Sequence, residues 1–154
     1  GLILDLRNNG GGDFDVSIAI AGIFLDGDKV VSSVDAQGNE KVYQASKGKV
    51  DIPLVVLVNE DSASASEILA AALRDNQRAV LVGKKTFGKG LVQTVFPLRN
   101  GGALKLTTQK YYTPAGIDIN EVGITPDYVV ENNADEDKDL QLDNATSVLK
   151  KQIY

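Results

Sequence analysis

Two short segments carry most of the chemistry this sequence could do. Ser62-Ala63-Ser64-Ala65-Ser66-Glu67 follows one apolar run, and Gly83-Lys84-Lys85-Thr86-Phe87-Gly88-Lys89-Gly90 follows another, setting a lysine between two glycines. A serine at a helix start has the setting of a nucleophile, because free amides and the positive end of the helix dipole stabilise a developing oxyanion. The same residues also fit a purely structural role: Ser64 and Glu67 match the capping-box pattern S-x-x-E, which needs no catalysis. A hydroxyl nucleophile requires a base, and nothing in the chain titrates as histidine does. A lysine in a low-dielectric pocket gives up its proton more readily, so Lys89 is the candidate base for Ser64. A solvated lysine on a glycine turn is the competing reading, and the residues alone leave both open.

Composition narrows the field further. The 154 residues include no histidine and no cysteine, which removes a Ser-His-Asp triad, a cysteine nucleophile, a zinc site built on His or Cys, and any disulfide framework. Sixteen basic groups against 21 acidic ones give a net charge of −5, which argues against a nucleic-acid surface. Gly83 to Gly90 nearly matches the phosphate loop G-x-x-x-x-G-K-[ST]. Gly90 stands where the magnesium-binding hydroxyl belongs, however, and Leu91 to Phe96 reads as strand where a helix should follow, so a nucleotide site is not expected. Asp135-x-Asp137-x-Asp139 opens like a calcium loop, but Leu140 replaces the turn glycine and Thr146 the bidentate glutamate; a solvated charge run is expected instead. No apolar run approaches the ~18 residues of a membrane span.

The elements that would position these residues follow from periodicity. Leu2, Ile3, Leu4 and Leu6 suit a strand buried on both faces that ends in the breaker cluster Asn8-Asn9-Gly10-Gly11-Gly12. Asp13 can cap a helix running to about Leu25. Lys29–Val34 and Glu40–Ala45 read as a hairpin, expected to be an exposed, polar excursion. Leu54 to Val58 is the apolar run of a central parallel strand, Ser62 to Arg74 a helix and Ala79 to Val82 another buried strand, together a β-α-β unit. Leu91–Phe96 and Ala103–Tyr112 pair about a glycine-rich turn, a long loop follows, and a helix is expected from about Asp139 to Lys151. The expected fold is α/β, a mixed sheet with flanking helices, with residues 1–131 as the core and 132–154 as an acidic linker and C-terminal helix. The chain opens directly on an apolar strand, as though cut from a longer protein.

In this order and spacing the motifs resemble the carboxyl-terminal processing proteases, also called tail-specific proteases. The resemblance rests on Leu4-Asp-Leu-Arg-Asn-Asn-Gly-Gly-Gly12, Leu54 to Ile68, Leu81 to Gly90 with Val92-Gln93, Tyr111-Tyr-Thr-Pro-Ala-Gly116 and Gly123-Ile-Thr-Pro-Asp127, and spans roughly Gly1 to Val130. It implies a crotonase-like protease core and a serine endopeptidase that cuts polypeptides near their C-termini through a Ser-Lys dyad. Carried over by position, Ser64 is the nucleophile, Lys89 the general base and Gln93 its support. Ala65 and Gly11, with Gly12 close behind, supply the oxyanion amides. Asp75 matches a family acidic position but lies eleven residues beyond Ser64, about 16 Å along a helix, which makes it structural. The resemblance further implies no cofactor or metal, polypeptide C-terminal segments as partners, no nucleic acid, an upstream PDZ domain outside this chain, an extracytoplasmic location, and any homo-oligomer built through regions outside the chain. The alternative is a catalytically inactive core that binds peptides by adding a strand to its sheet.

Overall fold

The computed structural model describes residues 1–132 and 138–153, so Asp135 and Asp137 of the calcium-like spacing lie outside the described residues. The elements are β1 (Leu2–Asp5), α1 (Phe14–Phe24), β2 (Lys29–Asp35), β3 (Glu40–Gln44), β4 (Leu54–Val58), α2 (Ala65–Asp75), β5 (Val80–Gly83), β6 (Leu91–Pro97), β7 (Ala103–Tyr112), β8 (Tyr128–Val129) and α3 (Leu140–Ile153). Parallel and antiparallel pairing are both present, divided between two sheets. One is parallel in the order β1-β4-β5-β8, and the other is antiparallel in the order β3-β2-β7-β6.

The parallel sheet follows from its sequence. All five residues of β4 are buried, as a strand covered on both faces requires. Within it Val56 and Val58 face the main core, while Val55 and Leu57 face a second, smaller cluster with Val82 and Ala145. In β1, half-buried Leu4 and Ile3 pack against these two clusters respectively. Residues Ala65 to Leu73 of α2 are all buried. A stretch buried on every side lies inside the fold, and α2 packs against α1, β5 and β2, between the two sheets. Asp13 caps α1 as expected, its Oδ1 accepting from Val16 N–H at 3.0 Å.

The β2–β3 hairpin corrects one expectation. It forms where the spacing placed it, but Val30 to Ser33 are buried, because β2 pairs with β7 on one side and β3 on the other and faces α2. Only β3 is largely exposed. The serines of β2 read as polar in the sequence, and the strand that covers them on one side pairs through Tyr112 and Tyr111, 80 and 78 positions ahead.

On the far face of the parallel sheet, α3 packs through Ala145, Val148 and Leu149. Arg7 fastens it: the guanidinium donates to Asp5 Oδ2 at 2.7 Å, Asp139 Oδ1 at 2.8 Å and Gln141 Oε1 at 3.1 Å. The hydrogen bond from Arg7 outweighs partial burial and holds the Asp139 carboxyl at about 2, below its ordinary 3.8. At Asp5 burial raises the value, and the Arg7 hydrogen bonds more than offset it. Depressed carboxyls stabilise the fold above their unfolded values and lose that contribution as pH falls through the folded ones. The amides of α3 should therefore lose hydrogen-exchange protection between about pH 4 and 2, ahead of β4, and Asp139→Asn should remove that step.

Candidate active site

Of the three serines in the run, the structure leaves one available. Ser62 is fully buried and accepts from Asn59 N–H at 2.9 Å while donating to Leu6 O at 2.7 Å; Ser66 is also buried, within α2. Ser64 is half-exposed at the N-cap of α2, with φ 57° and ψ −118°. A non-glycine residue there is strained, and such a sharp strand-to-helix turn is how a nucleophilic hydroxyl is presented above a sheet.

Two loops hold this turn. The glycine loop after β1 is laced to it by Asn8 N–H to Asn59 Oδ1 at 2.9 Å, Asn59 Nδ2 to Asn8 Oδ1 at 2.8 Å and Ala63 N–H to Asn9 O at 3.1 Å. Gly11, at φ 95°, packs so closely that a Cβ there would lie 2.6 Å from Ala63 O and 2.9 Å from Ala65 N. Its own N–H donates to Asn9 Oδ1 at 3.0 Å. Gly12 lines the cleft beside Ser64 and has open space around it. Gly11→Ala should cost about 1–3 kcal/mol through positive φ and the clash at the turn, whereas Gly12→Ala should shift stability by no more than about 0.5 kcal/mol. Urea unfolding midpoints of the two variants check this.

The second loop, between β5 and β6, carries Lys89, and Glu67 joins it to the turn. This carboxylate is completely buried. Its Oε2 accepts from Ser64 N–H at 2.9 Å and Lys89 N–H at 2.8 Å, and its Oε1 from Gly88 N–H at 2.7 Å and Thr86 Oγ1 at 2.5 Å. Thr86 Oγ1 accepts in turn from Ile124 N–H at 2.7 Å, and Gly88 O from Glu121 N–H at 2.8 Å. Sequence reasoning assigned Glu67 only the reach back to Ser64. Its contacts with residues 19 to 22 positions ahead had no local signal, except that a second carboxylate oxygen needs donors when buried.

A cleft of about 450 Å³ is lined by Ser64, Ala65, Gly12, Lys89 and Gln93, so the expected site residues other than Gly11 share one cavity. Gly11 borders a smaller cavity of about 160 Å³ that also touches Gly12 and Ala65. The Lys89 residue is exposed, not enclosed as a buried base would be, because its loop rims the cleft mouth. Gln93 lines the cleft beside an irregularity in the β6–β7 pairing. Val92 pairs with Gln109 but Gln93 with Thr107, leaving Thr108 as an extra residue, and Leu91, Val92 and Gln93 all line the cavity. Such a bulge increases local twist and re-aims side chains. The strand β6 also disposes of the phosphate-loop reading, since no helix follows Lys89.

Aromatic residues form the wall opposite. Phe14 stacks on Tyr111 with centroids 5.2 Å apart and meets Tyr43 edge-on at 4.8 Å. Burial, with smaller contributions from Tyr43 and Asp15, pushes the Tyr111 phenol up to about 12, so it stays protonated at neutral pH. Asp75 is structural, as expected: it pairs with Arg74 at 2.9 Å and accepts from Ala115 N–H at 3.1 Å.

The chain is similar to known proteases over most of its length. The carboxyl-terminal-processing protease of Synechocystis is 53% identical over 132 residues, covering 85% of this chain and 31% of that protein. The chloroplastic C-terminal processing peptidase of Tetradesmus obliquus is 48% identical over 129 residues, covering 82% of this chain and 28% of that one. A solved photosystem II D1 C-terminal processing protease superposes with a TM-score of 0.83 at 43% identity, over 97% of this chain and 38% of that one. The chain thus spans about a third of the length of these relatives. Residues 1–130 match the description of peptidase family S41, and the chain belongs to that family.

Proposed function

We propose that the protein is a serine endopeptidase that cuts polypeptides near their C-termini, with Ser64 as nucleophile and Lys89 as general base. The observation that carries this reading is the strained Ser64 turn at the head of α2, sharing a cleft with Lys89 while Glu67 binds the backbone of both loops. Substrate covering the cleft would strip water from the Lys89 amine and favour its neutral form. That amine takes the Ser64 proton, and Oγ attacks the scissile carbonyl. The oxyanion receives the Ala65 N–H and a glycine amide of the first loop, Gly12 in preference to Gly11, whose N–H is given to Asn9. Lys89 then protonates the leaving amine, and water, deprotonated by the same lysine, releases the acyl group. Gln93 steadies the amine from β6. No step calls for a metal or cofactor.

The names of the relatives as C-terminal processing enzymes support the substrate class, and the chloroplastic ones an extracytoplasmic or organellar setting. Among the described residues no helix is long and apolar enough to cross a membrane. A non-catalytic reading rests on β6, an edge strand of the antiparallel sheet beside the cleft, on which a peptide could add as a strand. A fluorophosphonate probe separates the two: covalent labelling mapped to Ser64 supports the peptidase, and an unlabelled full-length protein would leave only the binding module.

A further inference from the structure

The tripeptide Asn-Gly-Gly occurs twice, at Asn9-Gly10-Gly11 in the glycine loop beside Ser64 and at Asn100-Gly101-Gly102 in the β6–β7 turn. Asparagine before glycine is the step most open to loss of the side-chain amide, because the following nitrogen carries no neighbouring side chain to crowd its approach to Cγ. Both asparagines and the glycines after them are exposed, and both side chains form the same local turn. Asn9 Oδ1 accepts from Gly11 N–H at 3.0 Å, and Asn100 Oδ1 from Gly102 N–H at 3.1 Å. These bonds favour attack on Cγ, since an N–H aimed at Oδ1 stabilises the charge that this oxygen gains when Cγ becomes tetrahedral. The two sites differ at the attacking nitrogen. Gly101 N–H donates to Leu98 O at 3.1 Å, whereas Gly10 N–H has no acceptor among the described residues. A hydrogen bond to the protonated form opposes ionisation, so the Gly101 nitrogen is held back and the Gly10 nitrogen is not.

We infer that Asn9 is a site of spontaneous covalent modification and that its conversion sets the working lifetime of the Ser64 site, the second clause resting on the peptidase reading above. Deprotonated Gly10 N attacks Asn9 Cγ and forms a new N–C bond; the side-chain nitrogen leaves as ammonia, and a succinimide ring remains. Water then adds to one of the two ring carbonyls. Attack at Cγ breaks the new bond and gives aspartate, while attack at the main-chain carbonyl breaks the original peptide bond and gives isoaspartate. One water is consumed and one ammonia released. Isoaspartate routes the chain through Cβ and Cγ, adding one bond, about 1.5 Å, to the loop. That loop is tied to the serine turn by Ala63 N–H to Asn9 O at 3.1 Å and by the close packing of Gly11 against Ala63 and Ala65. Aspartate keeps the length but sets a negative charge where Gly11 N–H now meets a neutral oxygen, in the loop proposed to receive the oxyanion.

The test follows the full-length protein during incubation at mildly alkaline pH, by peptide mapping with mass spectrometry at both sites and by the rate of fluorophosphonate labelling of Ser64. In the folded protein Asn9 should convert about threefold to tenfold faster than Asn100, the worth of one hydrogen bond, and in urea the two rates should come together. Labelling should fall in step with Asn9 conversion, the isoaspartate form by about 10²-fold, the scale of a misplacement of about 1 Å. Gly10→Ala separates this chemistry from general ageing. A Cβ at Gly10 meets nothing within 4 Å, and its φ lies outside the left-handed region, so the fresh variant should fold and label at the wild-type rate. It should slow conversion at Asn9 by about tenfold or more and preserve labelling through the incubation. Asn100 converting as fast as Asn9 in the folded protein, or labelling that holds constant while Asn9 is consumed, overturns the inference. A wild-type protein that never labels overturns the peptidase reading and the claim about lifetime with it, while the map of Asn9 and Asn100 still decides whether the modification occurs.

Discussion

Ser64→Ala should abolish fluorophosphonate labelling and lower kcat/KM by about 10⁴- to 10⁶-fold, the scale on which removing a serine nucleophile acts in hydrolases. Folding should survive the change. The serine makes no core contact comparable to that of Ser62, and alanine removes only a half-exposed hydroxyl from a turn still fixed by Glu67 and the glycine loop. Lys89→Ala should lose activity on a similar scale. Lys89→Arg decides what the lysine does, because arginine keeps the charge but cannot act as a neutral base. If Lys89 only steered or bound substrate, Lys89→Arg would retain activity within about tenfold; as the base, it should be as inactive as Lys89→Ala. Rates measured on a peptide ester and on a peptide amide, at matched folding by circular dichroism, give the comparison.

The second large effect belongs to Glu67, which touches no substrate in the proposed mechanism and acts by position. Its two oxygens accept four hydrogen bonds in a site with no exposure. Glutamine offers one accepting oxygen, and its amide group would point donors at donors. At least two of the four partners would then be unsatisfied, at about 1–3 kcal/mol each. Against a total stability of about 5–15 kcal/mol, a loss of about 2–6 kcal/mol is severe and should lower Tm by about 5–20 °C. Because the carboxylate binds the backbone of both Ser64 and Lys89, labelling should slow well below the melting range, with kcat affected more than KM. Glu67→Asp separates the roles: it keeps both oxygens but shortens the reach, so it should recover part of the stability and little of the labelling rate. A Glu67→Gln protein that labels at the wild-type rate would show that the two loops keep their places without this carboxylate.

The acid response of α3 acts on the opposite face and should leave this network alone. Arg7, Asp5 and Asp139 lie at the end of β1 and the start of α3, while the Glu67 hub is inside the core at the head of α2. Loosening of α3 below about pH 4 should therefore precede loss of the Ser64 turn.

The local elements were legible because each is specified by nearest neighbours. The β-branched run of β4, the Asp13 cap, the breaker residues between β1 and α1, and the turn between β6 and β7 all act within a few residues. The two-residue strand β8 gave no such signal, since it exists only by pairing with Val82 and Gly83. The hairpin misled for the same reason: the alternation that defines β2 says nothing about what covers it. At the site, the local patterns and the lack of histidine and cysteine made Ser64 and Lys89 candidates, while the place of Gln93 came only from the family resemblance.

What the sequence determined alone was therefore the inventory of reactive groups and the strands and helices that carry them, since both depend on residue type and short-range periodicity. Only the tertiary structure decided which serine is accessible, that Lys89 stands at an open cleft mouth, and that Glu67 fastens two loops at once. Each of these depends on burial or on contacts between residues far apart in the chain, and such contacts exist only once α2 is enclosed between the two sheets.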